Sequence, residues 1–218
     1  MISCVMFDLD GTLCDTLRDL AEATNYALRQ AGYPEHPLEK YKQMVGNGIT
    51  KLIERALPQQ SPDPEEIAGC RAAMLAYYQA HLLDYTRPYP GMEALIEALS
   101  RQGVGLYVVT NKPQAQAQAI VEALYPGRFA GVAGQRIDRP TKPDPWGVHL
   151  FLTQGGYRRE QCLFVGDSNV DAQTAKAAGV RCAGVTWGFR SRQELLEAGA
   201  QWVVDRPEAL LELVKSEA

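Results

Sequence analysis

The chain has no excess of positive charge, no paired cysteines, few histidines and no long apolar run. Its 22 lysines and arginines are outnumbered by 26 aspartates and glutamates, for a formal net charge of −4. Nothing in that balance attracts nucleic acid or an acidic membrane surface, so neither is expected as a partner. Five cysteines (Cys4, Cys14, Cys70, Cys162 and Cys182) are an odd number with no C-x-x-C spacing. They read as reduced thiols of a cytoplasmic protein, and Cys4, Cys162 and Cys182 lie in apolar runs that predict burial. The three histidines, His36, His81 and His149, show no metal-ligand spacing. No stretch approaches the ~20 apolar residues of a membrane span, and no signal-peptide pattern precedes the first apolar run. Internal repeats and low-complexity tracts are missing too.

What is present is an alternation. Short valine-rich runs, "CVMFDLD", "VGLYVVTN", "FAGVAG", "CLFVGDS", "RCAGVTWG" and "QWVVD", are separated by helical patterns such as "MEALIEALSRQG", "PWGVHLFLTQGG" and "RPEALLELVKSEA". Near-continuous apolar strands alternating with helices predict an α/β fold, a Rossmann-like parallel sheet covered on both faces. Ligands of such sheets bind beyond the carboxyl ends of the strands. One interval interrupts the pattern. From Thr16 to Tyr89 no strand pattern occurs, and Leu17, Leu20, Ala21, Thr24, Leu28 and Ala31 share one helical face. This predicts a catalytic core over 1–15 and 90–218 and an inserted all-helical cap domain over 16–89. The Pro-rich "PQQSPDP" reads as a loop inside the insert.

The strand ends carry the chemistry, because an apolar strand has no packing reason to finish in polar residues. The first ends in Asp8 and Asp10, the second in Thr110 and Asn111; Lys142 follows in "TKPDP", and "LFVGDSNVD" supplies Asp167 and Asp171. Residues i and i+2 of a strand share a face, and two unit charges about 4 Å apart repel by roughly 4 kcal/mol at an effective dielectric near 20. Asp8 and Asp10 therefore need a cation, a shared proton or a break in the strand, and Gly11 suggests the break. Taken alone, each residue also has a plain reading: an Asp-Gly turn, a helix cap at Thr110 or Asn111, a solvated Lys142, a turn and a cap at Asp167 and Asp171. The fixed positions of D-x-D-G-T, however, coincide by chance only roughly once in 10⁵ windows.

In order, "FDLDGT", "VVTNK", "KPDP" and "GDSNVDAQTAKAAG" resemble the motifs of the haloacid dehalogenase superfamily, specifically its phosphatases with a helical cap after the first strand. The resemblance covers nearly the whole chain and implies a phosphomonoester hydrolase. In it Asp8 is the nucleophile that becomes an aspartyl-phosphate, and Asp10 is the general acid and base. Mg²⁺ is held by the Asp8 carboxylate, the Asp10 backbone carbonyl and the Asp167 carboxylate. Thr110 and the backbone N–H of Asn111 grip phosphate oxygens, and Lys142 neutralises charge on the nucleophile. Asp171 supports the metal site or Lys142 from behind. Four aspartates, Mg²⁺ and one lysine leave a charge of −1, which a protonated Asp10 would cancel. Because Asp10 is present, dehalogenation is set aside, leaving phosphatase or phosphomutase.

The resemblance implies a small phosphorylated molecule as substrate. "MVGNGITKLIERAL" and "GVTWGFRSRQELLEAGAQWVVDRPEAL" resemble the cap loop and closing segment of phosphoglycolate phosphatases, which implies 2-phosphoglycolate as substrate and adds Asn47 and Gly48 as binding residues. A sugar phosphate, a nucleoside monophosphate, pyrophosphate, a β-phosphoglucomutase-like transfer and a non-catalytic binding protein stand as alternatives. Lys51 reads as a solvated helix lysine, Arg190 as either a substrate contact or a surface group, and Tyr77, Tyr78 and Tyr85 as packing within the cap. Monomer and homodimer are both left open.

Overall fold

A computed structural model describes residues 1–216. The six apolar runs form one parallel sheet from β1 (Cys4–Phe7), β4 (Gly105–Pro113), β5 (Gly131–Gln135), β6 (Cys162–Gly166), β7 (Arg181–Val185) and β8 (Trp202–Val204). Its order is β5-β4-β1-β6-β7-β8. The register sets Cys4 beside both Gly105 and Cys162, and Phe7 beside both Val108 and Val165. β1 is therefore central, and the order of strands reverses beside it, the place where open α/β sheets bind ligands.

Successive side chains of a strand point to opposite faces, and the core divides accordingly. Val5, Phe7, Leu106, Val108, Leu163 and Val165 join one apolar cluster, with Leu95, Ile96 and Leu99 of α5 (Met92–Arg101), Ile120 of α6 (Gln114–Leu124) and Leu210 of α10 (Pro207–Ser216). Cys4, Met6, Tyr107, Val109 and Phe164 join the other, with Phe151 of α7 (Trp146–Gly155), Ala175 of α8 (Asn169–Ala178) and Leu195 of α9 (Arg192–Glu197). All five cysteines are buried and free. Among the described residues no helix is long and apolar enough to cross a membrane.

Between β1 and β4 the chain forms α1 (Leu17–Gln30), α2 (Leu38–Met44), α3 (Ile49–Ala56) and α4 (Pro64–Ala80). Leu20, Leu28, Tyr41, Leu52, Ile53, Met74 and Tyr78 pack between them, continuous with the first sheet cluster. The interval is not wholly free of strand. β2 (Cys14–Asp15) pairs antiparallel with β3 (Arg87–Pro88), so a two-residue ribbon joins the segment that enters the helices to the one that leaves them. Two residues are too few to show any periodicity. The crossing is tied again by buried Asp19 in the first turn of α1. Its carboxylate accepts the N–H groups of Tyr85 (3.0 Å) and Thr86 (2.8 Å) and the Thr86 hydroxyl (2.7 Å).

Candidate active site

The chain breaks between the two aspartates. Asp8 still belongs to the sheet, its N–H donating to the Val165 carbonyl of β6 at 2.9 Å. The next N–H, of Leu9, folds onto the Asp8 carboxylate at 2.7 Å, and the Leu9 carbonyl then accepts from Thr12, Leu13 and Cys14 in a tight loop. Gly11 has φ +81°, a left-handed conformation that glycine adopts without Cβ strain. Asp8 and Asp10 thus leave the strand in different directions and enter two different networks.

The first network surrounds Asp8. Lys142 lies 2.9 Å from Asp8 Oδ1 and 2.6 Å from Asp171 Oδ1, with all three side chains buried. Asp171 is fixed from its other side, where Oδ2 accepts the Ser168 N–H at 3.0 Å and hydroxyl at 2.6 Å as part of the capping box that starts α8. Lys142 is held by its backbone: its N–H donates to Asn111 Oδ1 at 2.8 Å and its carbonyl accepts from Asn111 Nδ2 at 3.0 Å. Asp167, after β6, accepts the Thr12 hydroxyl at 3.3 Å and the Phe189 N–H at 2.7 Å. Backbone crowds it so closely that a Cβ built on Gly11 or Gly188 would sit 2.4 Å from its Oδ2.

Asp8, Asp167 and Asp171 bring carboxylate oxygens within 4.8 Å of one another. Burial pushes Asp8 up to about 6, against the pull of Lys142 and with the push of the Asp171 and Asp10 charges. Burial, then the neighbouring Asp171 and Asp8 charges, raise Asp167 well above the carboxylate range. Burial alone would favour the neutral amine of Lys142, but the Asp171 and Asp8 carboxylates hold its pKa above the ordinary lysine value.

The second network surrounds Asp10. Its Oδ1 accepts both the Thr16 hydroxyl at 2.7 Å and the Lys112 ammonium at 2.8 Å. Thr16 stands at the N-cap of α1 yet makes no side-chain capping bond, because its hydroxyl is directed to Asp10 instead. Lys112 also donates to the Tyr78 hydroxyl of α4 at 2.6 Å. Burial disfavours its charge, but Asp10 outweighs that and keeps the lysine protonated. Two sequence expectations change here. Tyr78 does more than pack the helices, and Lys112 adds a cation that the charge count omitted. Four carboxylates against two ammonium groups leave two negative charges, the amount that one divalent cation cancels. Without a cation protons must make up the shortfall, which is the direction in which Asp8 and Asp167 are pushed. Hard carboxylate oxygens in a buried, charge-deficient cluster fit such an ion.

Above both networks lies a cavity lined by Asp8, Asp10, Thr110, Asn111 and Lys112 on the sheet side. Leu20, Val45, Gly46, Gly48, Ile49 and Leu52 close it from the helices. Thr110 and Asn111 are not the end of their strand, since β4 continues to Pro113. The pairing with β5 shifts register between Val109 and Pro113, and this irregularity lets Thr110, Asn111 and Lys112 all be buried together. The Asn111 side chain braces the Lys142 backbone and also donates to the Gly46 carbonyl at 3.2 Å.

The other candidates divide. Gly48 lines the cavity, whereas Asn47 is not among its described lining residues and its side-chain oxygen accepts from the Arg55 guanidinium at 2.8 Å. Lys51 pairs with Glu54 at the surface. Arg190 reaches across to the insert, donating to the carbonyls of Lys42 and Val45. Trp187 donates to the Thr12 carbonyl at 3.0 Å and so backs the first loop. His36 contacts the Ala56 carbonyl and His81 pairs with Asp84.

Residues 5–185 match the family model of the haloacid dehalogenase-like hydrolases. Phosphoglycolate phosphatase of Pseudomonas savastanoi pv. phaseolicola is 37% identical over 207 residues, 92% of this chain and 75% of its own length. Phosphoglycolate phosphatase 1 of Pseudomonas aeruginosa is 37% identical over 213 residues, 95% of this chain and 78% of its own. Among solved structures, CbbY of Rhodobacter sphaeroides in complex with phosphate is 26% identical with a TM-score of 0.81, covering 96% of each chain. The motif order, the sheet with its helical insert and the matched span agree: the chain belongs to the haloacid dehalogenase-like hydrolase family.

Proposed function

We propose that the protein is a Mg²⁺-dependent phosphomonoester hydrolase acting through an aspartyl-phosphate, with 2-phosphoglycolate as its substrate and glycolate and phosphate as products. The observation that carries the reading is the separation of the two motif aspartates: Asp8 is bound to Lys142 and faces the carboxylate cluster, while Asp10 is bound to Thr16 and Lys112. One carboxylate is set up to attack, the other to move a proton.

Asp8 attacks phosphorus with one carboxylate oxygen, and the bond from phosphorus to the ester oxygen breaks. Asp10 Oδ1 is already occupied by two donors, so Oδ2 is the oxygen that carries the proton and delivers it to the leaving alkoxide. Water then attacks phosphorus, Asp10 takes its proton, and the bond from phosphorus to Asp8 breaks to release phosphate. Lys142 stabilises charge on Asp8 and on the transferring group, with Asp171 and Asn111 holding it in place, and Thr110 with the Asn111 N–H receives phosphate oxygens. Asp8, the Asp10 carbonyl and Asp167 would hold the Mg²⁺, which when bound screens the charge between nucleophile and phosphate. The helices over 16–89 act as a cap that presents Gly48 and an apolar wall to the small substrate and keeps water out.

The substrate rests on the relatives named phosphoglycolate phosphatase; the cytoplasm as the site of action rests on the five free thiols. Phosphate release is to be measured from 2-phosphoglycolate, sugar phosphates, nucleoside monophosphates and pyrophosphate, with Mg²⁺ or EDTA. The expected result is the highest kcat/KM with 2-phosphoglycolate and none with EDTA. Preference for another ester would overturn the substrate alone, and metal-independent turnover by Asp8→Asn would overturn the mechanism.

A further inference from the structure

Resting on the phosphatase reading above, we infer that Lys112 is a positioning residue for Asp10, and that with Tyr78 it makes the aim of the proton-carrying carboxyl depend on the seating of helix α4. Three observations meet at this side chain. Its ammonium lies 2.8 Å from Asp10 Oδ1, and the lysine side chain is fully buried while Asp10 is 14% exposed. It also donates to the Tyr78 hydroxyl at 2.6 Å, and Tyr78 is fully buried on α4. Finally, Lys112 lies within the register shift of β4 and is buried together with Thr110 and Asn111.

The arrangement joins residues 10, 78 and 112, from the loop after β1, the helical insert and β4. Thr16 and Lys112 both donate to one oxygen of Asp10, so the carboxyl cannot rotate without breaking two hydrogen bonds. An ammonium needs several acceptors once removed from water, and Tyr78 supplies the one that comes from the insert. If α4 shifts relative to the sheet, Lys112 must follow Tyr78 or lose it, and Asp10 is disturbed in either case. Lys112 lines the cavity as well, so a direct contact with a substrate carboxylate is the rival role that a test must separate.

The test uses the chemistry of the leaving group. Ethyl phosphate and acetyl phosphate are close in size, but an ethoxide must be protonated as it leaves and an acetate need not be. In kcat/KM, which reports the first phosphoryl transfer and not the later water step that uses Asp10 for both compounds, a residue that acts by aiming Asp10 matters for ethyl phosphate and not for acetyl phosphate, whereas damage to the fold, the metal or the nucleophile reduces both. Lys112→Met and Tyr78→Phe are to be compared with the wild type by kcat/KM on both compounds and on 2-phosphoglycolate, with Mg²⁺ saturating. General acid catalysis is worth about 10²–10⁴-fold. Lys112→Met is therefore expected to lose about 10- to 100-fold on ethyl phosphate and 2-phosphoglycolate alike, and under about threefold on acetyl phosphate. Tyr78→Phe, a change that keeps the packing, should show the same pattern at smaller amplitude, about three- to tenfold. Equal losses on all three compounds in both variants would overturn the inference. So would a loss confined to KM for 2-phosphoglycolate, which would make Lys112 a substrate contact instead. A wild-type protein that releases phosphate from none of the three would overturn the phosphatase reading, and the role of Lys112 with it.

Discussion

Replacing Lys142 by methionine should destabilise the metal-free protein strongly at neutral pH and much less in acid. The ammonium sits within 2.9 Å of Asp8 and 2.6 Å of Asp171, with all three side chains at most 10% exposed. Removing one member of a buried ionic cluster costs about 3–5 kcal/mol, because the remaining charges are left without compensation. Here two carboxylates lose their partner at once and Asp167 stands beside them, so a loss of about 3–5 kcal/mol is expected near pH 7.5 in EDTA. The pH dependence follows from Asp8. Its folded pKa of about 6 is above the ordinary 3.8, so between those values the folded protein binds more protons than the unfolded chain. Stability from this group is therefore present at low pH and falls as pH rises through that window, by about 3 kcal/mol in total. Lys142 is the main group that holds the Asp8 pKa down; without it the window extends upward. The variant's penalty is complete only above the new pKa and shrinks as the pH is lowered towards about 5 and Asp8 takes a proton.

The assay is urea denaturation of both proteins in EDTA near pH 7.5 and pH 5, followed by tryptophan fluorescence. Trp146, Trp187 and Trp202 all lie outside the helical insert, so the signal reports on the sheet and its flanking helices. A loss below about 1 kcal/mol near neutrality, or a loss that grows on acidification, would refute the reasoning, because either result would mean that the three carboxylates do not depend on the lysine.

Asp8→Asn should abolish phosphate release while leaving urea stability in EDTA unchanged or raised, since it removes a buried charge; residual turnover above about one part in 10³ would argue against a nucleophilic role. Mg²⁺ at about 100 times its Kd should add about 2.7 kcal/mol to unfolding stability near pH 7.5. The gain should be smaller near pH 5, where Asp8 and Asp167 hold protons, and calorimetric titration at the two pH values would check the sign. Asp19→Ala strands the N–H groups of Tyr85 and Thr86 and the Thr86 hydroxyl, for an expected loss of about 2–4 kcal/mol by thermal or urea unfolding. Gly166→Ala would place a Cβ 2.2 Å from Asp171 Cγ. It should cost about 1–3 kcal/mol in stability and lower kcat/KM, because Asp171 anchors Lys142; unchanged kinetics would show that the clash is relieved elsewhere.

The sheet was readable because buried parallel strands carry unbroken apolar runs, and each run ended in residues that packing could not explain. Asp8 and Asp167 stood out for that reason, Asp171 from its place one turn into the following helix, and Lys142 from the loop "TKPDP" in the ordered set of motifs. Lys112 did not. In "TNKP" it reads as a polar residue before a proline, and only the register shift between Val109 and Pro113 turns that stretch into the site. Tyr78 stands in a helical "YY" pair, where periodicity predicts packing and cannot reveal a hydroxyl at the end of a buried ring. Asp19 looks like an ordinary acid in the first turn of a helix, and its three donors are 66 and 67 residues away. The short ribbon of β2 and β3 has no pattern to detect.

Lys112 and Tyr78 were missed for a shared physical reason: together they form a contact between the helical insert and the sheet. Local sequence reports local structure, and the ends of a strand advertise chemistry because they break a local rule. A polar contact across two packed units breaks no rule in either segment. Asp8 and Asp10 show the consequence most directly. They are the same residue type two positions apart, and the turn after Asp8 explains why they diverge. What distinguishes their surroundings is distant in sequence: Lys142 and Asp171 beside the first, Lys112 and Tyr78 behind the second. The different surroundings of the two aspartates are thus a tertiary property, and the insert contributes to them through one buried hydroxyl.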